Sequence, residues 1–131
     1  MEVRKFEEFI GQKLKSFREV KSTDDSYTTE LIFELENGKS YVFYHWQDCC
    51  EFVYVEDING DINSIIGEEI LRFEERTQID ENACESGTWT FYDIETLTKH
   101  IQIRWYGESN GYYSERVNFD EIEGDDVEWQ N

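Results

Sequence analysis

Proline is absent from the 131 residues. Tight turns must therefore rest on Gly, Asn and Asp, which reach the required backbone angles or bond their own backbone. Cysteine is scarce. Three residues, an odd number without framework spacing, argue against a disulfide-stapled secreted domain and for a reducing compartment, so the expected location is cytoplasmic. No apolar run approaches the ~20 residues of a membrane span, and Met1-Glu2-Val3-Arg4-Lys5 lacks the apolar core of a secretory signal. Basic charge is the scarcest resource: 12 Lys and Arg stand against 31 Asp and Glu, a net charge of −19. Phosphate binding wants clustered Lys and Arg, so direct nucleic-acid binding and an anionic membrane surface are both disfavoured.

Aromatic residues are abundant at 16%, and each buried ring removes roughly 150–250 Å² from water, so one core is attainable despite 33% charged residues. The charge is uneven. Residues 1–21 hold six of the basic residues against four acids, leaving −21 on the other 110 residues. Such an acidic body suits a basic protein partner; it equally serves solubility.

Phe6, Phe9, Ile10 and Leu14 fall at helical spacing, which predicts an amphipathic helix from Arg4 to Gly11, reaching toward Leu14. A strand begins at Phe17, and Thr23–Ser26 reads as a turn. Residues 28–36 alternate, with Leu31, Phe33 and Leu35 on one face; Asn37-Gly38 is a hairpin signal; residues 40–46 return apolar on both faces, as a covered strand would. Residues 51–57 form the next strand. After Asn59-Gly60, Asp61 caps a second short helix carrying Ile62, Ile65 and Ile66, ended by Gly67. Residues 69–78 are strand-like, residues 88–94 and 99–106 a further hairpin, and residues 112–119 a last strand. The expected fold is α+β, mainly antiparallel sheet built from hairpins, with an N-terminal helix and a short second helix. One domain over residues 1–119 is followed by an acidic tail, residues 120–131, whose Ile122, Val127 and Trp129 are able to dock.

The densest chemistry lies in Tyr44-His45-Trp46-Gln47-Asp48-Cys49-Cys50-Glu51 and onward to Asp61. If residues 49–57 are extended, Cys49 and Cys50 point to opposite faces. A zinc reading would take His45, Cys84 and one of the paired cysteines, but C-x-x-C spacing is missing, so no metal and no cofactor are assigned. A nucleophilic-thiol reading needs a base, and His45 is the nearest in sequence. The plain alternative is buried cysteines with His45 in a structural hydrogen bond. Asp48, Glu51, Glu56, Asp57 and Asp61 only graze a calcium-loop pattern, because the glycine comes too early. A turn at residues 107–111 would set Tyr106 opposite Tyr112, Arg104 opposite Ser114 and Gln102 opposite Arg116, with Asn110 at the tip. That face combines aromatics and arginines, which is good recognition chemistry; local ion pairing explains the arginines as well. No phosphate-cradling loop, G-x-S-x-G elbow or H-E-x-x-H motif occurs.

The segments His45-Trp46-Gln47-Asp48-Cys49-Cys50-Glu51, Glu56–Asp61, Thr88-Trp89-Thr90-Phe91-Tyr92 and Arg104–Ser114 resemble those of a DUF7448-like family of small phage, prophage and bacterial proteins. The likeness covers roughly residues 8–119 and implies no reaction, since the family has none assigned. The leading expectation is a non-enzymatic, phage-associated interaction module. It would recognise a basic protein, as an inhibitor or a charge mimic of nucleic acid, through Arg104, Tyr106, Tyr112 and Ser114 or the acidic stretch from Asp48 through Asp57 to Asp61. The second is a small-molecule- or metal-binding domain or enzyme sited around His45, Asp48, Cys49 and Glu51. A homo-oligomeric structural component is the third.

Overall fold

A computed structural model describes residues 3–22 and 27–122. Nine strands are present among them: β1 (Val3–Lys5), β2 (Leu14–Lys21), β3 (Thr28–Leu35), β4 (Ser40–Tyr44), β5 (Phe52–Asn59), β6 (Arg72–Ile79), β7 (Ser86–Glu95), β8 (His100–Ser109) and β9 (Asn118–Ile122). All pairings are antiparallel, in the order β1-β6-β7-β8-β5-β3-β4-β9, with β2 on the other edge of β3. The predicted Thr23–Ser26 turn and the end of the acidic tail, with Val127 and Trp129, lie outside the described residues. The first tail residues, Asp120 to Ile122, complete β9 against β4.

The sheet is a curled half-barrel. A five-stranded portion (β1, β6, β7, β8, β5) and a four-stranded one (β2, β3, β4, β9) meet through one residue pair, Thr28 opposite Val55. On that edge β3 pairs next with β4, so β4 and β5 diverge and leave a split. Inward positions follow strand alternation. Leu31, Phe33 and Leu35 of β3, Tyr41 and Phe43 of β4, Val53 and Val55 of β5, and Ile101, Ile103 and Trp105 of β8 all enter one core. A bulge between Val55 and Asp57 resets β5, so that Ile58 returns to the core side. The second apolar face of β4 is also used: Val42 is fully buried beside Ile32 and Ile122, with Val20 and Tyr44 against them.

Two expectations fail. Strand accounts for 58% of the described residues and no α-helix occurs among them, so α+β gives way to a mainly antiparallel β fold. The predicted helix from Arg4 is instead β1 followed by tight turns. Arg4 pairs with Glu75, the Phe6 N–H donates to the Phe73 carbonyl at 2.9 Å, and the Gly11 N–H to the Ile70 carbonyl at 2.8 Å. The i, i+3 spacing of Phe6 and Phe9 is real, but i→i+3 turns deliver it: the Phe9 N–H reaches the Phe6 carbonyl at 3.2 Å. Ile10 stays 42% exposed, which a continuous apolar helical face would not allow. Tertiary hydrogen bonds to β6 and its approach have replaced the helical ladder. The second expected helix is a single 3-10 turn, Ile62–Ile65. Asp61 caps it by accepting from the Asn63 N–H at 3.0 Å, and Ile66 already lies in extended backbone.

The turns plant two rings in the core. Phe9 is completely buried, 4.2 Å from the Phe73 ring centroid, 5.1 Å from Tyr41 and 5.8 Å from Phe33. Phe6 lies 4.8 Å from Phe119 and 5.5 Å from both Phe43 and Phe73. These rings bridge the two portions of the sheet that the Thr28–Val55 pair alone would hold weakly. Phe9→Ala should destabilise the protein by about 3–5 kcal/mol, the range for an aromatic deleted from a close-packed core. Urea unfolding by tryptophan fluorescence measures it; a loss below ~1 kcal/mol would mean that the N-terminal turns are not part of the cooperative core.

Candidate functional site

The split between β4 and β5 is filled by residues 45–51, and residues 110–117 cross over the same end of the sheet from β8 to β9. The two segments are bonded together. His45 Nδ1 lies 2.7 Å from the Arg116 carbonyl, and the Trp46 N–H donates to Asn118 Oδ1 at 2.8 Å.

Glu51 is the hub of this rim, with a fully buried side chain. Its Oε2 accepts from the Asp48 N–H at 2.9 Å and contacts His45 Nε2 at 2.9 Å; its Oε1 accepts from the Cys49 N–H at 3.0 Å. Gln47 Nε2 donates to the Glu51 carbonyl at 2.7 Å. Burial pushes the carboxyl pKa up, but the bonds from His45 and the backbone of Cys49 and Asp48 outweigh it and bring the value down to about 2. Both nitrogens of His45 face acceptors, a carbonyl and a carboxylate, so both bonds form together only when the ring carries both protons. Both ring nitrogens are engaged by these two contacts, and the nucleophilic-thiol arrangement around His45 is not assembled.

A second buried carboxylate holds the crossover. Glu115 accepts from the hydroxyls of Thr88 at 2.7 Å and Ser109 at 2.5 Å. Burial raises its pKa, and the bonds from Ser109, Thr88 and Ser86 reverse that and leave it lowered. Two glycines permit the close approach. A Cβ on Gly107 would stand 2.7 Å from the Glu115 carbonyl oxygen, and one on Gly87 would collide with the Tyr106 hydroxyl on its way to Asp80.

Residues 49 and 50 form a bend rather than strand, and β5 starts at Phe52. The expected alternation of the two cysteines is therefore absent: Cys49 and Cys50 are joined to each other as a disulfide, while Cys84 is free and exposed. The expectation of cysteines packed in the core does not hold, since residues 49, 50 and 84 are all exposed. Cys50 and Cys84 line one cavity of about 320 Å³ with Glu51, Glu85, Glu108 and Asn110. Among the described residues, no group of three or more His, Cys, Asp or Glu is arranged to hold a metal ion, and no helix is long and apolar enough to cross a membrane.

The expected recognition hairpin does not form. Residues 112–117 are not strand, and β8 pairs instead with β5 and β7. Tyr106 faces Tyr54 and Trp89 rather than Tyr112, its ring 4.4 Å from Trp89 and its hydroxyl donating to Asp80 at 2.8 Å. Arg104 lies opposite Asp57 and Phe91, binds Glu56 at 2.5 Å and reaches Asp57 at 3.9 Å. Arg104 and Asp57 thus belong to the outer face of the sheet, away from the rim. Asn110, Tyr112 and Ser114 stay in the crossover with short-range roles: Asn110 Oδ1 accepts from the Tyr112 N–H at 2.9 Å, and Ser114 Oγ from the Arg116 N–H at 3.2 Å. Sequence reading missed Glu115 as an organiser. No periodicity marks a carboxylate buried by an irregular crossover.

The Glu51 pKa is lowered, so its contribution to stability is full above the ordinary carboxyl value of 4.5 and is lost as the pH falls toward about 2. The melting-temperature gap between wild type and Glu51→Gln should be constant near neutrality and narrow across that window. A gap independent of pH would show that Glu51 is not an ionised hub. Maleimide labelling of the native protein should modify Cys84 alone, and labelling after reduction all three cysteines; three labels without reductant would refute the Cys49–Cys50 bond.

No curated protein and no solved structure matches this chain. A family profile described as a domain of unknown function, DUF7448, matches residues 7–119, which include both rim segments, the two carboxylate hubs and the aromatic core apart from Phe6. The chain belongs to the DUF7448 family.

Proposed function

We propose that the protein is a non-enzymatic binding module whose rim takes a basic surface of another protein. The observation that carries this reading is the pairing of buried carboxylate hubs with exposed aromatics on the segments they hold. Trp46 is 71% exposed and Tyr112 87% exposed, on backbone fixed by Asn118 and Asn110 respectively. Large rings on pre-ordered backbone give contact area at little entropic cost, which is why Trp and Tyr dominate binding hot spots. Exposed Asp48, Glu81, Glu85 and Glu108 surround that end of the sheet and set the sign of the partner. With the net charge of −19, they favour fast, salt-sensitive association with a cationic surface. A specific form of this reading is a charge mimic of nucleic acid that occupies a basic, phage- or host-encoded protein in the cytoplasm.

A second reading has its own observation. The cavity beside Cys50 and Cys84 is large enough for a small ligand, which would place a binding site at Cys50 and Glu51 rather than at His45.

The test is affinity capture by the immobilised full chain and by the Trp46→Ala/Tyr112→Ala double variant, at about 50 mM and about 500 mM salt. A basic protein retained by wild type at low salt, and lost with either the variant or high salt, is the expected result. Each truncation should weaken the purified complex by about 2 kcal/mol, roughly 30-fold in Kd. Capture that ignores both changes would sink the proposal.

A further inference from the structure

The half-barrel does not close. The outer edge of β1 and residues 116–119 approach each other without pairing, and between them lies a cleft of about 410 Å³. Arg4, Arg116, Glu75, Thr77 and Thr90 line it together with two valines. We propose that this open seam binds a small organic oxyanion, a carboxylate or a phosphate ester, between the guanidinium groups of Arg4 and Arg116.

The charge balance makes these two arginines unusual. With 31 acids against 12 bases, an arginine should find a carboxylate easily. Arg72, Arg76 and Arg104 all do. Arg4 and Arg116 make no ion pair with any described residue. Arg4 instead lies over the rings of Phe6 at 4.5 Å and Phe119 at 5.6 Å, contacts that aim the guanidinium and leave its donors available. Arg116 is anchored through its backbone: its carbonyl faces His45, its N–H bonds Ser114, and the next residue, Val117, is buried.

The one carboxylate in the cleft is already engaged. Glu75 stands opposite Arg4 in the strand register but accepts the hydroxyl of the buried Tyr92 at 2.6 Å. Burial and Glu75 drive the Tyr92 pKa upward, and the charges of Arg4 and Arg116 oppose them, which places both guanidiniums within electrostatic reach of this floor. Two guanidiniums against one carboxylate leave the cleft with one excess positive charge. Planar guanidinium forks match carboxylate and phosphate oxygens in pairs, and the threonine hydroxyls add neutral donors. The volume exceeds that of a bare inorganic ion and falls in the range of small-molecule sites. The acidic body repels an anion at long range, but beyond about 8 Å that repulsion is screened at physiological salt, so short paired contacts decide binding.

The experiment is a titration of the full chain, followed by backbone amide NMR at constant ionic strength, with inorganic phosphate in one arm and acetate in another. Saturable shifts should centre on Arg4, Thr77, Thr90 and Arg116. Saturation by phosphate alone assigns the phosphate-ester class, by acetate alone the carboxylate class, and by both the shared oxyanion chemistry. Arg116→Gln should weaken binding at least about tenfold, as expected for losing charge-assisted bonds, and Arg4→Gln similarly, whereas Arg104→Gln on the outer face should leave it unchanged. The Arg116 side chain makes no hydrogen bond or ion pair with any described residue, so this variant should keep the wild-type melting temperature and is the decisive one. Shifts that do not saturate in either arm, or affinity that survives Arg116→Gln, would overturn the assignment.

Discussion

Where β4 and β5 separate, the backbone of residues 46–51 leaves the sheet and its amides need other acceptors. The Glu51 carboxylate supplies them from inside the loop, and His45 ties the same carboxylate to the carbonyl of Arg116. Much of the rim hangs from this group. The bend at the cysteine pair, the attachment of the crossover and the lie of Arg116 at the seam all pass through it. Glu115 repeats the device in the crossover with hydroxyl donors in place of amides. Buried carboxylates are costly unless every lone pair finds a donor, and here the cost is offset by ordering two irregular segments without regular secondary structure.

The core solves a different problem. A long antiparallel sheet that curls but does not close has two portions to bind together. Nine phenylalanines in a chain of this length are ample for that task. The cluster of Phe6, Phe9, Phe33, Phe43, Phe73 and Phe119 does so with edge and stacked contacts across both portions. Because turns rather than a helix deliver Phe6 and Phe9, the backbone there stays free to bond β6, and β1 can end the sheet. The open seam follows from the same choice: among the described residues β1 spans Val3–Lys5, which pairs with β6 and not with β9.

Strand patterns were legible wherever one face met the core. The alternation of Leu31, Phe33 and Leu35, the Asn37-Gly38 turn and the Ile101-Ile103-Trp105 stripe all appear where period-2 burial dictates. The N-terminal helix was misread because i, i+3 spacing is shared by helices and successive tight turns, and hydrogen bonds from β6 decided between them. Tyr106 and Arg104 were given the wrong neighbours because sequence proximity across a short glycine turn suggests a hairpin. In the fold, β5 and β7 occupy both edges of β8 first, and the returning chain has to cross over the end.

The sequence by itself determined the all-antiparallel pairing of most strands, the acidic body, the aromatic core and the concentration of chemistry between Tyr44 and Glu51, because composition and residue periodicity are local properties. Only the tertiary structure decided that His45 is locked between two acceptors, that Cys49 bonds Cys50 beside a free Cys84, and that Arg4 and Arg116, 112 positions apart in the chain, line one cleft. Those outcomes depend on which strand edges remain after pairing is complete. That is a property of the whole sheet, and no window of the sequence carries it.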